Sequence, residues 1–241
     1  MKLDVLAFAA HPDDVEMGMG ATMIKLFKNG LSTGIIDFTK GELATRGTKE
    51  IRMEEAAAAS KILGLSVREN LNLPDGKLTI KEEYVKLAVQ MIRKYKPEII
   101  FATYFVDRHP DHEACGELIK KAMFMSGLPK YESEYEGKKQ EAYRPKKIFY
   151  YMMTYDFPPT FIVDVTETFN LKMEAIKCYK SQIYNPESDE PQTLISQKGF
   201  FEIFESRARV YGLKIRKEFG EAFFAEEPIE YFFENFYNKG E

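Results

Sequence analysis

Apolar residues along this chain fall into short blocks divided by polar turns, and the blocks alternate between two kinds. Residues 4–10 (DVLAFAA) are an apolar run too short for a helix, which predicts a buried strand. Pro12 pushes His11 away from the helical region, so the strand can end there. Residues 17–28 are apolar at helical spacing and stop at Asn29-Gly30, a helix C-terminus signal. Residues 32–38 predict a second strand and 39–48 a polar loop that carries Lys40 and Arg46. Residues 49–63 are alanine-rich, which predicts a helix closed by Gly64.

The pattern then repeats. Residues 67–71 predict a short strand, 80–95 a helix closed by Pro97, 98–104 (EIIFATY) another buried strand, 105–111 a loop and 112–126 a helix. This alternation implies βαβ units, hence an α/β fold with a mostly parallel sheet flanked by helices. Right-handed crossovers place the loops that follow strands along one sheet edge. After Gly127 the pattern loosens. Residues 131–143 are charged and predict a surface excursion, 147–153 and 160–165 strands, 167–179 and 199–211 helices, and 184–192 a polar loop with Pro186 and Pro191. No linker or repeat divides the chain, so residues 1–241 are expected to form a single domain. The aromatic run at 231–237 suits packing on the body or on a neighbouring subunit, which allows a homo-oligomer.

Charge narrows the partners. The chain has 34 basic and 38 acidic residues, a net charge of −4, which gives no global reason to expect nucleic acid or an anionic membrane. An anionic small molecule would have to be met by a local basic cluster. Two cysteines, Cys115 and Cys178, make no disulfide framework. Asp4 falls where a signal peptide's apolar stretch would begin, and the apolar run at 5–10 is too short for a signal or a membrane span. A cytoplasmic protein is the expectation.

Histidine carries the chemical signal. The chain has three, His11, His109 and His112, gathered in two short acidic loops. The first loop is His11-Pro12-Asp13-Asp14 and the second Asp107-Arg108-His109-Pro110-Asp111-His112, each following a predicted strand. Ligands of open parallel sheets bind beyond the carboxyl ends of strands at a topological switch point. Were the two strands neighbours, the loops would face one another. His11, Asp14 and His112 are then candidate metal ligands, two imidazoles and a carboxylate with a position open for water. That donor set suits zinc, and ferrous iron as well. The metal would lower the pKa of water toward ~7 and polarise a carbonyl. Asp13 is the candidate proton acceptor, and His109 could stabilise an oxyanion or protonate a leaving amine, with Asp111 holding its ring and favouring the charged form. Plainer readings stand beside these. Asp14 could simply cap the following helix, and Cys115, three residues after His112, suits core packing better than ligation. A dinucleotide site is disfavoured, because Gly18-Met19-Gly20 lacks the third glycine of the fingerprint.

These motifs together resemble the LmbE/PIG-L deacetylase family. The likeness also includes Thr39-Lys40-Gly41-Glu42, Thr45-Arg46-Gly47-Thr48, Arg52, Glu55, Leu73-Pro74-Asp75 and Ser181-Gln182. Within the family it is strongest to the branch that removes acetate from N-acetylglucosaminyl malate in bacillithiol biosynthesis. The resemblance implies a Rossmann-like fold, zinc on His11, Asp14 and His112, a general base at Asp13, and a transition-state histidine at His109 backed by Asp111. It places Arg52 near the substrate and Arg144 at the lining of the site. Lys40, Arg46, Arg52, Arg108 and Arg144 are the candidates to meet malate carboxylates. Some relatives carry a Gly-Tyr pair where this chain has Gly199-Phe200, so that hydroxyl is lost here or supplied by another residue. The rival readings are a deacetylase of another N-acetylglucosamine glycan or conjugate, and a zinc-binding protein without activity.

Overall fold

The computed structural model describes residues 1–230; the aromatic run at 231–237 lies outside them. A seven-stranded sheet forms the centre. Strands β1 (Val5–Ala9), β2 (Thr33–Thr39), β3 (Val67–Leu73), β4 (Ile99–Thr103) and β7 (Lys147–Tyr151) run parallel in the order β3-β2-β1-β4-β7. Two antiparallel strands, β9 (Gly220–Phe224) and then β8 (Phe161–Asp164), complete the edge. The predicted surface excursion contains a small hairpin of β5 (Glu134–Tyr135) and β6 (Lys138–Lys139).

The alternation in β1 explains the layering. Leu6 and Phe8 pack with helices α3 (Glu82–Tyr95) and α4 (Pro110–Ser126). Val5, Ala7 and Ala9 pack with α1 (Asp14–Lys28), α2 (Lys49–Leu63) and α5 (Phe169–Lys177). Side chains of a strand point alternately to its two faces, so a wholly apolar strand needs a layer on each. Helix α6 (Phe200–Lys214) packs on β9.

Three local features fix the elements that carry the chemistry. First, α1 is broken at Met19 (φ −148°, ψ 21°). Glu221 from β9 accepts the backbone N–H groups of Ala21 (3.2 Å) and Thr22 (2.7 Å), while Lys172 donates to it at 2.7 Å. The carboxylate caps the restarted helix as an N-terminal side chain would. Second, Arg68 from β3 lies buried between Asp37 and Glu16, donating to Asp37 at 2.7 and 3.0 Å and to Glu16 at 2.5 Å. Tyr179 adds a hydrogen bond to Glu16 at 2.8 Å. This network holds the first turn of α1 against the sheet. Third, α4 approaches β4 so closely that a Cβ on Gly116 would stand 2.4 Å from the Thr103 carbonyl oxygen. Thr103 also donates its hydroxyl to the His112 carbonyl at 2.6 Å.

Candidate active site

β1 pairs with β2 on one side and β4 on the other, so the strand order reverses at β1. The loops leaving β1 and β4 therefore open onto a shared crevice. Within it, His11, His109 and His112 come together, with the His11 ring 4.7 Å from that of His109 and 5.4 Å from that of His112.

Asp14 stands between two of the imidazoles. Its Oδ1 is 3.2 Å from Nε2 of His112, and its Oδ2 is 3.6 Å from Nδ1 of His11. The far nitrogen of each ring meets another carboxylate. Nε2 of His11 is 3.0 Å from Asp75 and 3.6 Å from Asp111, and Nδ1 of His112 is 2.8 Å from Asp107. Burial opposes a charge on either ring, but Asp14 and the flanking carboxylates outweigh it. The pKa of His112 is pushed up to about 9 and that of His11 well above its ordinary value. Asp14 is held well below the usual carboxylate range, against burial, by His112 and His11. Carboxylates disposed in this way around facing nitrogens favour a cation between them. A divalent metal fits the donor set His11, Asp14 and His112. Donor atoms of His11, His109 and His112, and of His11, Asp75 and Asp111, also lie within 4.8 Å of one another. In the second group, however, Asp75 and Asp111 are already committed to backbone N–H groups.

Asp13 has φ 115°, a left-handed conformation that costs a residue with a Cβ on the order of 1 kcal/mol. The turn directs its carboxylate to Arg52, whose Nη2 lies 2.8 Å from Oδ2 while Nε donates to the Pro12 carbonyl at 2.9 Å. Burial and the charges of Asp14 and Glu16, opposed by Arg52, raise the Asp13 pKa to about 7.

His109 and Asp111 are arranged otherwise than expected. The Asp111 carboxylate does not hold the His109 ring. It accepts the N–H groups of Gly76 (2.7 Å) and Leu78 (3.2 Å), joining the 76–78 turn to α4. Instead the backbone N–H of Asp111 donates to Nδ1 of His109 at 3.2 Å, which leaves the proton of the neutral ring on Nε2. Burial, together with the positive His11 and His112, lowers the His109 pKa. The structure therefore favours neutral His109 where the sequence suggested an imidazolium.

The basic residues divide. Arg52 and Arg108 line the cavity of about 390 Å³ that opens at the histidines. Arg144 does not: it donates to the Phe124 carbonyl at 3.0 Å and lies over the Phe124 ring beside Gly127, because β7 begins at the opposite end from the site. Arg46 is turned away to the Ser181 carbonyl at 3.1 Å, in a latch completed by Glu55, Ser181 and Gln182. Lys40 is not among the lining residues. Arg207 of α6 lines the cavity although nothing local in the sequence marks it. The roles of Asp75 and Asp107 were also not foreseen, although both stand in quoted motifs. Phe200 does reach the cavity, stacked edge-on against Phe204, and brings no hydroxyl. Met17, Leu194 and Ile195 add to this apolar wall. Cys115 is buried in the core on α4, its thiol pushed up by burial to about 12, and takes no part in the site.

A switch-point crevice with this donor set suits metal-dependent hydrolysis, and comparison with known proteins shows the class to be that of amide-hydrolysing deacetylases. The sequence model described as "PIG-L: GlcNAc-PI de-N-acetylase" matches residues 6–123, and the chain belongs to the PIG-L/LmbE family of deacetylases. The crystal structure of the conserved protein TT1542 from Thermus thermophilus superposes with a TM-score of 0.86 at 35% identity, covering 95% of this chain and 97% of that one. Diacetylchitobiose deacetylase of Thermococcus kodakarensis is 28% identical over 188 residues, 74% of this chain and 69% of the relative. The probable N-acetyl-alpha-D-glucosaminyl L-malate deacetylase 2 of Bacillus subtilis is 26% identical over 201 residues, 76% of this chain and 84% of the relative. Among the described residues no helix is long and apolar enough to cross a membrane.

Proposed function

We propose that this protein removes acetate from an N-acetylglucosamine conjugate, with N-acetylglucosaminyl malate as substrate and zinc as the metal. The observation that carries the reading is the placement of Asp14 between the facing nitrogens of His11 and His112, with Asp13 opening on the same cavity. The Bacillus relative supports the malate conjugate, as does the guanidinium group of Arg108 on the cavity wall, which suits carboxylates.

His11, Asp14 and His112 would hold the metal, which when bound supplies Lewis acidity toward water and the acetyl carbonyl. Asp13 accepts the proton of the attacking water. Nε2–H of neutral His109 donates to the oxygen on which negative charge develops. Asp13 then returns its proton to the departing amine, so that acetate and a free amino sugar leave with the water's atoms divided between them. Arg52 favours the anion of Asp13 against burial and holds its carboxylate at 2.8 Å.

The test is acetate release from N-acetylglucosaminyl malate, N-acetylglucosamine and diacetylchitobiose, each with zinc-loaded and chelator-stripped protein. Zinc-dependent release chiefly from the malate conjugate is expected. Preference for diacetylchitobiose would replace the substrate, and release undiminished by stripping would overturn the metal's role.

A pH profile tests Asp13 separately. The catalytic form is the anion, so kcat/KM is expected to fall about tenfold per pH unit on the acid side. The midpoint belongs at or below the value of about 7 that the protein alone imposes, because a bound cation adds positive charge. Arg52 lowers the Asp13 pKa, so Arg52→Gln is expected to move the acid limb to higher pH. An unmoved limb would assign it to another group.

A further inference from the structure

The family match ends at residue 123, yet later parts of the chain reach the metal centre. Arg207 donates from Nη1 to the Met153 carbonyl at 2.5 Å and from Nη2 to the Thr154 carbonyl at 3.1 Å. The turn held in this way follows β7 and presents two backbone N–H groups in return. Those of Thr154 and Tyr155 donate to Oδ2 of Asp107 at 2.7 and 3.2 Å. The other oxygen of Asp107 accepts the backbone N–H of His109 at 3.1 Å and meets Nδ1 of His112 at 2.8 Å. Asp107 itself is buried.

A carboxylate at Nδ1 decides where a neutral imidazole keeps its proton. With Nδ1–H donated to Asp107, the lone pair of His112 lies on Nε2, the nitrogen that faces Asp14. Asp75 acts likewise at Nε2 of His11 and leaves Nδ1 on the Asp14 side. Asp75 comes from the β3 end of the sheet, whereas Asp107 has its Oδ2 held by the turn that Arg207 clamps.

We infer that Arg207 is a positioning residue: through the 153–155 turn and Asp107 it fixes the ring and tautomer of His112, and so sets the affinity of a metal centre that it does not touch. The inference rests on the proposed metal ligands. Its rival is direct contact, since Arg207 also lines the cavity and could bind the substrate itself.

Zinc affinity measured on stripped protein against a chromophoric chelator separates the two. Asp107→Asn is expected to weaken zinc binding about 10–100-fold, the usual effect of losing a carboxylate behind a ligating histidine. Arg207→Gln is expected to weaken it in the same direction by about tenfold. Excess zinc should then restore kcat with KM near wild type. Arg207→Lys keeps a charged donor to one carbonyl and should recover part of the affinity, a readout that survives if the glutamine variant folds poorly. Arg209→Gln is the control, since Arg209 is exposed and pairs with Glu205 on the same helix and with Glu218 just beyond its end. Wild-type zinc affinity with a raised KM in both Arg207 variants would overturn the inference and make Arg207 a substrate-binding group. Absence of zinc binding by the wild-type protein would overturn the ligand assignment and this inference with it.

Discussion

Replacing Asp13 by Asn is expected to lower kcat by about 10²–10⁴-fold while zinc content stays at the wild-type level. The amide cannot take the water's proton, but nearly everything else about the position survives. Asn tolerates the left-handed backbone that Asp13 adopts at φ 115°, so the turn keeps its shape. The amide oxygen can still accept from Arg52, which now stands 2.8 Å from Oδ2. The proposed ligands His11, Asp14 and His112 are untouched. Single-turnover acetate release together with metal analysis of the same sample gives the answer. Loss of both zinc and activity would make Asp13 part of the metal site, and near wild-type turnover would remove it from the chemistry.

Arg68→Met is expected to cost about 3–5 kcal/mol of stability, because it leaves the charges of Asp37 and Glu16 buried without their counterion. Burial already raises the pKa of Asp37 despite the bidentate guanidinium, and removal of that cation raises it further. A carboxyl whose folded pKa lies above its unfolded value destabilises the fold when pH is well above the folded pKa. The deficit is relieved as pH falls toward that pKa and the group protonates. The loss should therefore be larger at pH 8 than at pH 5, as read by denaturant unfolding. A loss below about 1 kcal/mol would show that water or a local shift replaces the ion pair.

Elements were legible where the pattern is local. Residues 49–63 and the apolar runs of β1 and β4 coincide with their elements to within a residue or two. Helix α4 starts at Pro110, two residues before the expected position, because proline fits a helix's first turn, where its missing N–H is not needed. Strand β9 was not foreseen. Its sequence, GEAFF, has no alternation of its own, and it becomes a strand only because β7 and β8 supply antiparallel partners.

The two histidine loops belong to what the sequence by itself determined: each follows an apolar strand and crowds histidine and aspartate around a His-Pro pair, Pro12 at the end of the first approach and Pro110 at the start of α4. The parallel sheet follows from strands that alternate with helices. Which side chains meet beyond those loops was decided by tertiary structure alone. Asp75 reaches His11 across 64 residues of sequence, and Arg207 reaches the turn after β7 across 53 or more. Arg144 falls outside the site because it enters β7 at the wrong end, although its spacing from the other motifs carries no sign of that. The physical reason is one of range. Backbone preferences and hydrophobic period act over a few residues and specify where a strand or helix begins. The partners of a side chain at the crevice depend on strand order and helix rotation, which arise only when the distant faces pack.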